Sequence, residues 1–142
     1  MNPPKKGKVL GFPTEWLEFA KSDLRLANLA AADPVIRKEQ ICFHAQQAAE
    51  KAIKAILLLN RIEFPLTHDI EELLEVAESN GMDLPEDVEE SGLLTPYAVD
   101  SRYPGYWFEV TEAEFTEALR IAGQAVQWAQ ETISKKNNCV RE

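Results

Sequence analysis

Residues 40–59 read Gln40-Ile-Cys-Phe-His-Ala-Gln-Gln-Ala-Ala-Glu-Lys-Ala-Ile-Lys-Ala-Ile-Leu-Leu-Leu59, and this stretch decides the fold. No Gly or Pro interrupts it, and almost every residue is a good helix former. Apolar residues recur at spacings of three and four, which predicts a helix with a continuous apolar face. Because further apolar residues lie off that face, the helix is predicted to be central. The face consists of Ile41, Ala45, Ala48, Ala52, Ile56 and Leu59, and the additional apolar residues are Phe43, Ile53 and Leu57.

One polar seam remains on this helix. His44, Gln47 and Lys51 follow one another at i, i+3 and i+7, which places them within about 60° of each other around the axis. In a functional interpretation Lys51 meets a phosphate, Gln47 reads a base or ribose, and His44 donates a hydrogen bond or transfers a proton. In the other interpretation the three side chains make polar contacts across a bundle or dimer interface.

The rest of the chain predicts further helices that cover the central one. The fold class is therefore all-α, an up-and-down bundle of about five helices joined by short loops. A single domain is expected over 14–136, between an irregular N-terminal arm at 1–13 and a frayed tail at 137–142. The expected helices are 15–31 capped by Thr14, 34–61 after Asp33-Pro34, a third from Thr67 or His68 to Ser79, a short piece from Pro85, and 112–136 after a capping box at Thr111–Glu114.

Composition excludes several classes of protein. A chain of 142 residues fits one domain. Its longest uninterrupted apolar run, 55–59, is far shorter than the ~20 residues that cross a bilayer, and no apolar run follows the N-terminal lysines. Two cysteines make no disulfide framework, and no Cys or His cluster has metal-ligand spacing. A cytoplasmic protein without a metal or cofactor is expected.

The net charge of −9 is unevenly distributed. Residues 62–142 carry eighteen acids and five bases, and between Glu63 and Glu90 there are eleven acids and no base. Such a surface repels phosphate backbones, which argues against broad electrostatic binding of nucleic acid. It fits either a basic protein partner or an ordinary solvated surface.

The loop Ser101-Arg-Tyr-Pro-Gly-Tyr-Trp-Phe108 interrupts the helical pattern. Arg102 is the strongest candidate site residue, because its planar fork of donors suits a phosphate or a carboxylate. Tyr103 offers an apolar face for a base and a polar tip for a phosphate. Tyr97 and Asp100 lie within about a helical turn of Arg102, and Asp100 is placed to orient it. Salt bridges, capping and local packing explain these four residues equally well.

This arrangement resembles the HEPN family (higher eukaryotes and prokaryotes nucleotide-binding). The likeness covers roughly residues 14–135. It rests mainly on the run from Cys42 to Ala55, with His-Ala-Gln-Gln-Ala-Ala-Glu-Lys at its centre, and on Arg102-Tyr-Pro. Further matching segments are Glu15-Trp-Leu with Ala20-Lys-Ser-Asp-Leu, Thr67-His-Asp-Ile with Leu73-Leu, and Leu94-Thr-Pro-Tyr-Ala-Val.

The resemblance implies a helical bundle that dimerises across a two-fold axis. It also implies a frequent partner, a small nucleotidyltransferase, with the pair often acting as toxin and antitoxin. Several branches of the family are metal-independent ribonucleases whose signature is an Arg, four to six further residues and a His. Here Arg102 is in place, but none of the residues from 103 to 109 is His, so the general acid or base is missing there.

Three functions are consistent with these observations. The first is a homodimeric, nucleotide-binding interaction module of a nucleotidyltransferase–HEPN pair, with a ligand held near His44, Lys51, Arg102 and Tyr103. The alternative is a metal-independent ribonuclease toxin in which Arg102 stabilises developing charge and a displaced histidine, His44 or His68, acts as acid or base. A third is an acceptor of adenylylation, with Tyr103 or Tyr106 as the modified residue.

Overall fold

The computed structural model describes residues 11–98 and 109–141. Across these ranges the chain forms helices and no strand. The prediction of an all-α bundle of about five helices is therefore confirmed. In chain order the elements are α1 Pro13–Ala30, α2 Lys38–Leu59, α3 Ile70–Ser79, α4 Glu86–Glu89 continued by a 3₁₀ helix Glu90–Tyr97, and α5 Glu112–Arg141.

Helix α2 lies at the centre of the bundle. It packs most extensively against α1 and α5, and it also contacts α3 and the 3₁₀ helix. Its alanines are fully buried, and methyl side chains of this size let the backbones of neighbouring helices approach closely. Ile53, Ile56 and Leu57 complete the buried surface. The predicted central position of this helix follows from that alanine face, whose members at 0% exposure are Ala45, Ala48, Ala49, Ala52 and Ala55.

The first two helix starts differ from the expected ones. Helix α1 begins at Pro13, with Phe12 rather than Thr14 at the N-cap, and the Glu15 carboxylate accepts a 2.9 Å hydrogen bond from the Phe12 N–H. Helix α2 begins at Lys38 rather than at 34. The reason is that the Asp33 carboxylate accepts from the Val35 N–H at 2.9 Å, so it closes a local turn instead of capping a helix.

The starts of α3 and α5 are capped by side-chain hydrogen bonds. Asp69 caps α3, because its carboxylate accepts from the backbone N–H groups of Glu71 and Glu72. The expected capping box of α5 is present: Thr111 Oγ1 accepts from Glu114 N at 3.1 Å, and Glu114 Oε1 accepts from Thr111 N at 3.0 Å. Helix α5 continues to Arg141, beyond its expected end at 136. None of the helices in the described ranges is long and apolar enough to cross a membrane.

Cys42 provides a test of this packing. The thiol is fully buried in α2, and burial, with smaller contributions from Glu39 and Glu114, raises its pKa to about 12. At pH 8 almost none of it is the reactive thiolate. We expect folded Cys139→Ser protein to resist iodoacetamide and to react only as fast as it unfolds, as followed by intact mass. The same variant in urea should be fully alkylated, whereas rapid alkylation of the folded protein would contradict the buried position of Cys42.

Candidate functional site

The polar side chains of α2 form two adjacent rows rather than the one seam seen in the sequence. At 100° per residue the two rows together occupy about 160° of the helix surface. This polar face turns toward α1 and toward the connector 60–69, which joins α2 to α3. The first row is His44, Gln47 and Lys51, and the second is Gln46, Glu50 and Lys54.

Asp23 of α1 contacts two side chains of the first row, Lys51 and His44. Lys51 Nζ lies 2.6 Å from Asp23 Oδ2, and His44 Nδ1 lies 3.4 Å from Asp23 Oδ1. All three side chains are partly exposed. Because the carboxylate occupies Nδ1 of His44, Nε2 is the ring nitrogen left for a ligand. This cluster thus presents an ammonium and an imidazole side by side at the surface.

Glu50 is the centre of the second row and is buried, with its side chain 3% exposed. Its Oε2 accepts from Lys54 Nζ at 2.9 Å. Its Oε1 accepts from Gln46 Nε2 at 3.1 Å and lies 2.9 Å from His68 Nδ1. Gln46 Nε2 also donates to the His68 carbonyl at 3.1 Å. A buried carboxylate is stable only when its oxygens are paired in this way.

The ammonium of Lys54 lies between two aromatic rings. Its Nζ is 5.8 Å from the ring centroid of Trp16 on α1 and 6.0 Å from that of Phe64 on the connector. Aromatic faces attract a cation, most strongly where water is excluded. Lys54, with a side chain 7% exposed, is therefore stabilised by Glu50 and by both rings together.

His68 joins this buried network to the solvent. Its side chain is 66% exposed, yet Nδ1 is directed to the buried Glu50 carboxylate. Since a carboxylate only accepts hydrogen bonds, Nδ1 carries the proton in this contact. The pairing fixes the orientation of the ring and leaves Nε2 at the surface, an arrangement suited to proton transfer.

The predicted trio on α2 is thus divided between two clusters. Gln47 does not join His44 and Lys51 at Asp23; its Nε2 donates to Gln46 Oε1 at 2.8 Å instead. The sequence interpretation missed Glu50, Gln46 and Lys54, although their i, i+4, i+8 spacing on an apolar helix marks a second polar row. Asp23, which comes from another helix, had no such signal.

The remaining candidate residues lie elsewhere. Tyr97, at the end of the 3₁₀ helix, is partly buried, and this burial, with smaller contributions from Cys42 and Glu114, raises its pKa to about 12. Cys42 lies two residues from His44 and so points to the opposite side of α2, which separates Tyr97 from the Asp23 cluster. Asp100, Arg102 and Tyr103, with the rest of the loop 101–108, lie outside the described residues.

A cleft of about 340 Å³ opens beside Lys51. Trp16 and Phe19 of α1 form its aromatic wall, with Gly11 and Glu15 at its edge. The Lys51 ammonium lies 5.7 Å from the Phe19 ring centroid. Within the described ranges, no group of three or more His, Cys, Asp or Glu side chains is placed to hold a metal ion. This cleft therefore provides aromatic surfaces for stacking and the positive charge of Lys51.

The model of the HEPN domain matches residues 14–133. The chain belongs to the HEPN family. Two solved structures are similar to this chain over most of its length. One, described as ST0689, an archaeal HEPN homologue, is 28% identical with a TM-score of 0.69, covering 87% of this chain and 99% of the other. The other, TT1696 from Thermus thermophilus, is 33% identical with a TM-score of 0.69, covering 84% of this chain and 96% of the other. No curated protein matches.

The range matched by the family model agrees with the extent of the helical bundle. The matched range runs from the start of α1 to near the end of α5, so it includes both polar rows, Asp23 and His68. The predicted resemblance to HEPN proteins is confirmed. What this HEPN protein binds or transforms depends on the individual side chains of these clusters, since a fold hosts many functions.

Lys54→Ala tests the network around Glu50. The substitution leaves a buried carboxylate without its counter-charge, and we expect the free energy of unfolding to fall by about 3–5 kcal/mol, measured by urea denaturation. Lys38→Ala is the matched control, because its pair with Glu112 is exposed and should contribute less than about 1 kcal/mol. Equal, small losses for both variants would show that Glu50 does not depend on Lys54.

Proposed function

We propose that this HEPN protein is the nucleotide-binding and interaction module of a pair with a small nucleotidyltransferase, of the toxin–antitoxin kind, and acts as a cytoplasmic homodimer. Membership of the family supports the pairing. The observation that carries the binding proposal is the juxtaposition of Lys51, His44 and an aromatic cleft on one exposed surface.

The cluster matches the two chemical parts of a nucleotide. The aromatic wall of Trp16 and Phe19 offers the kind of surface on which a base stacks. The Lys51 ammonium has three donors and uses one of them for Asp23, which leaves two for a phosphate. His44 Nε2 supplies a further donor or acceptor beside it. Arg102, Tyr103 and Asp100 remain candidate ligand residues in this proposal, whereas Tyr97 lies beside Cys42 on the other side of α2 and is not part of the Lys51 site.

Charge favours a small ligand over a long nucleic acid. Residues 62–142 carry a net charge of −13, from five bases and eighteen acids, and this half of the chain includes α3, α4 and α5. Electrostatic binding of a phosphate backbone requires an extended positive surface. A mononucleotide or a nucleic-acid end needs only the local ammonium of Lys51, with the His44 imidazole beside it. The acidic half instead suits a basic surface on the nucleotidyltransferase.

Lys51→Met tests the nucleotide site. We expect affinity for ATP, measured by isothermal titration calorimetry, to fall about tenfold or more, because a charge-assisted hydrogen bond contributes about 1.5–3 kcal/mol. Lys21→Met is the control and should bind normally, because Lys21 is exposed on α1 and lies about 160° around that helix from Asp23. Equal affinity of Lys51→Met and wild type would rule out Lys51 as the phosphate contact.

The pairing is tested separately by co-expression. A tagged HEPN chain should retain a nucleotidyltransferase encoded beside it through affinity and size-exclusion chromatography. If no complex forms at any of the salt concentrations tested, the proposed pairing with the nucleotidyltransferase is wrong. The result of the ATP titration is unaffected by that outcome.

A second candidate function is a metal-independent ribonuclease. The specific observation in its favour is the orientation of His68 by the buried Glu50 carboxylate, which leaves Nε2 exposed as a potential acid or base. In this mechanism Arg102 stabilises the negative charge that develops on the non-bridging oxygens of the phosphate, and His68 moves the proton that the missing histidine would otherwise move.

The ribonuclease candidate predicts a distinct pattern of variants. RNA cleavage in EDTA should be lost in Arg102→Ala and in His68→Ala, and retained in His44→Ala, when fragments are followed by gel electrophoresis. Cleavage that survives Arg102→Ala would identify a contaminating nuclease. Cleavage lost only in His44→Ala would transfer the acid–base role to the Asp23 cluster.

A further inference from the structure

The groove between α1 and α2 contains a second cleft, of about 550 Å³, which the proposed function does not use. It lies beyond Asp23 from the aromatic cleft. Most of its walls are apolar, and Gln40 and His44 are its polar side chains. A mostly apolar cleft with a few convergent polar groups is typical of a site for a small ligand. The apolar residues are Leu26, Ala30, Ile36, Ile41 and Phe43.

The two polar side chains of this cleft have defined hydrogen-bonding roles. Gln40 and His44 lie one turn apart on α2, so they share one side of the helix. His44 Nδ1 is 3.4 Å from Asp23 Oδ1, and because a carboxylate only accepts, Nδ1 carries the proton in this contact. Nε2 of the neutral ring is therefore an acceptor. The Gln40 amide has no partner among the described residues, so both its donors and its acceptor are left for a ligand.

This combination matches the edge of adenine. A Gln side chain pairs with adenine through two hydrogen bonds, one from the amino group of the base and one to a ring nitrogen. The second hydrogen of that amino group is a donor for His44 Nε2. Guanine and hypoxanthine carry a carbonyl oxygen at the same place, which would put one acceptor against another. The mismatch would leave polar groups without partners, and this costs affinity.

The Asp23 cluster connects this cleft to the proposed nucleotide site. Lys51 and His44 contact the two oxygens of the Asp23 carboxylate, so one nucleoside is long enough to reach from the ammonium to the imidazole. On its other side the Lys51 ammonium lies 5.7 Å from the Phe19 ring centroid. A single ammonium with two remaining donors suits a single phosphate. The carboxylate retains lone pairs that can accept from a ribose hydroxyl.

We propose that the ligand of this surface is a dinucleotide, two nucleosides joined by one phosphate, and that Gln40 and His44 select adenine as one of its bases. The other base stacks on Trp16 and Phe19, and Lys51 binds the phosphate between them. The inference rests on the proposed function for the phosphate contact and goes beyond it in naming the ligand class and the selected base. Asp23 is a positioning residue, because it fixes the tautomer of His44.

The spacing of the two clefts determines how the bases are arranged. Phe19 and Leu26, the nearest α1 residues of the two clefts, are seven positions apart, which is about 10 Å along the helix. Stacked neighbouring bases in a strand are only about 3.4 Å apart. The two bases are therefore unstacked and splayed, the form in which proteins recognise single-stranded nucleic acid.

Inosine-containing dinucleotides test the selected base, because inosine has a carbonyl oxygen where adenosine has the amino group. We expect ApA, two adenosines joined by one phosphate, to bind about tenfold or more tightly than its diinosine analogue IpI in isothermal titration calorimetry. At least one of ApI and IpA should bind as tightly as ApA, since only one base is selected. Equal affinity for ApA and IpI would overturn the selection of adenine, and weak binding of both mixed dinucleotides would overturn the stacking role of the aromatic cleft.

Two variants test the assigned residues. Gln40→Leu should weaken ApA about tenfold, whereas Gln130→Leu, a control at an exposed position of α5, should bind it normally. Asp23→Asn should abolish the preference for ApA over IpI, because an amide can donate to His44 Nδ1 and so allow Nε2 to carry a proton. A merely structural role of Asp23 would lower both affinities and leave their ratio unchanged. Circular dichroism melts verify that the variants fold.

The remaining outcomes separate this inference from the proposed function. Protein that binds ATP, with the loss expected for Lys51→Met, but binds ApA no more tightly than AMP would overturn the dinucleotide and leave the nucleotide site. Wild-type affinity of Gln40→Leu for ApA would overturn the assignment of the second cleft. Protein that binds neither ATP nor ApA would overturn the nucleotide site and the dinucleotide together.

Discussion

The buried carboxylate of Glu50 is the constraint on which the site region depends. A charge inside an alanine-rich helix is unstable unless both oxygens are matched. Lys54 and Gln46 come from the same helix, one turn to either side, and His68 comes from the connector to α3. The rings that flank Lys54 belong to α1 and to the connector. One side chain thus fixes the relative positions of three segments of the bundle.

The same helix separates the two kinds of chemistry that the HEPN fold offers here. One row meets α1, where Lys51 and His44 lie partly exposed on either side of the Asp23 carboxylate. The other meets the connector and presents His68 on a buried support. Neither depends on a histidine after Arg102, which is why this HEPN protein has a coherent candidate site although it departs from the ribonuclease signature of its family.

The sequence predicts the fold well because the fold depends on local patterns. The alanine face of α2 and the capping box at Thr111 and Glu114 involve residues three or four positions apart, so periodicity reveals them. The start of α2 is harder to predict, since Asp33 can either cap a helix or close a turn on Val35, and both are favourable. The site is harder still. Gln46 and Glu50 look like solvent-facing residues of a helix until the connector that covers them is placed, and Asp23 is brought to Lys51 by tertiary packing alone.

The aromatic enclosure of Lys54 also bears on how the chain folds. Before α1 and the connector have packed against α2, the Glu50 and Lys54 side chains are exposed to water. Their mutual attraction is then weak and their hydration is favourable. Removing that hydration is repaid only when Trp16, Phe64 and His68 are all in place. A half-assembled bundle therefore gains little from this cluster, whereas the complete one gains all of it. Such an arrangement disfavours partly folded forms. We therefore expect α1, α2 and α3 to fold and unfold together in one cooperative transition.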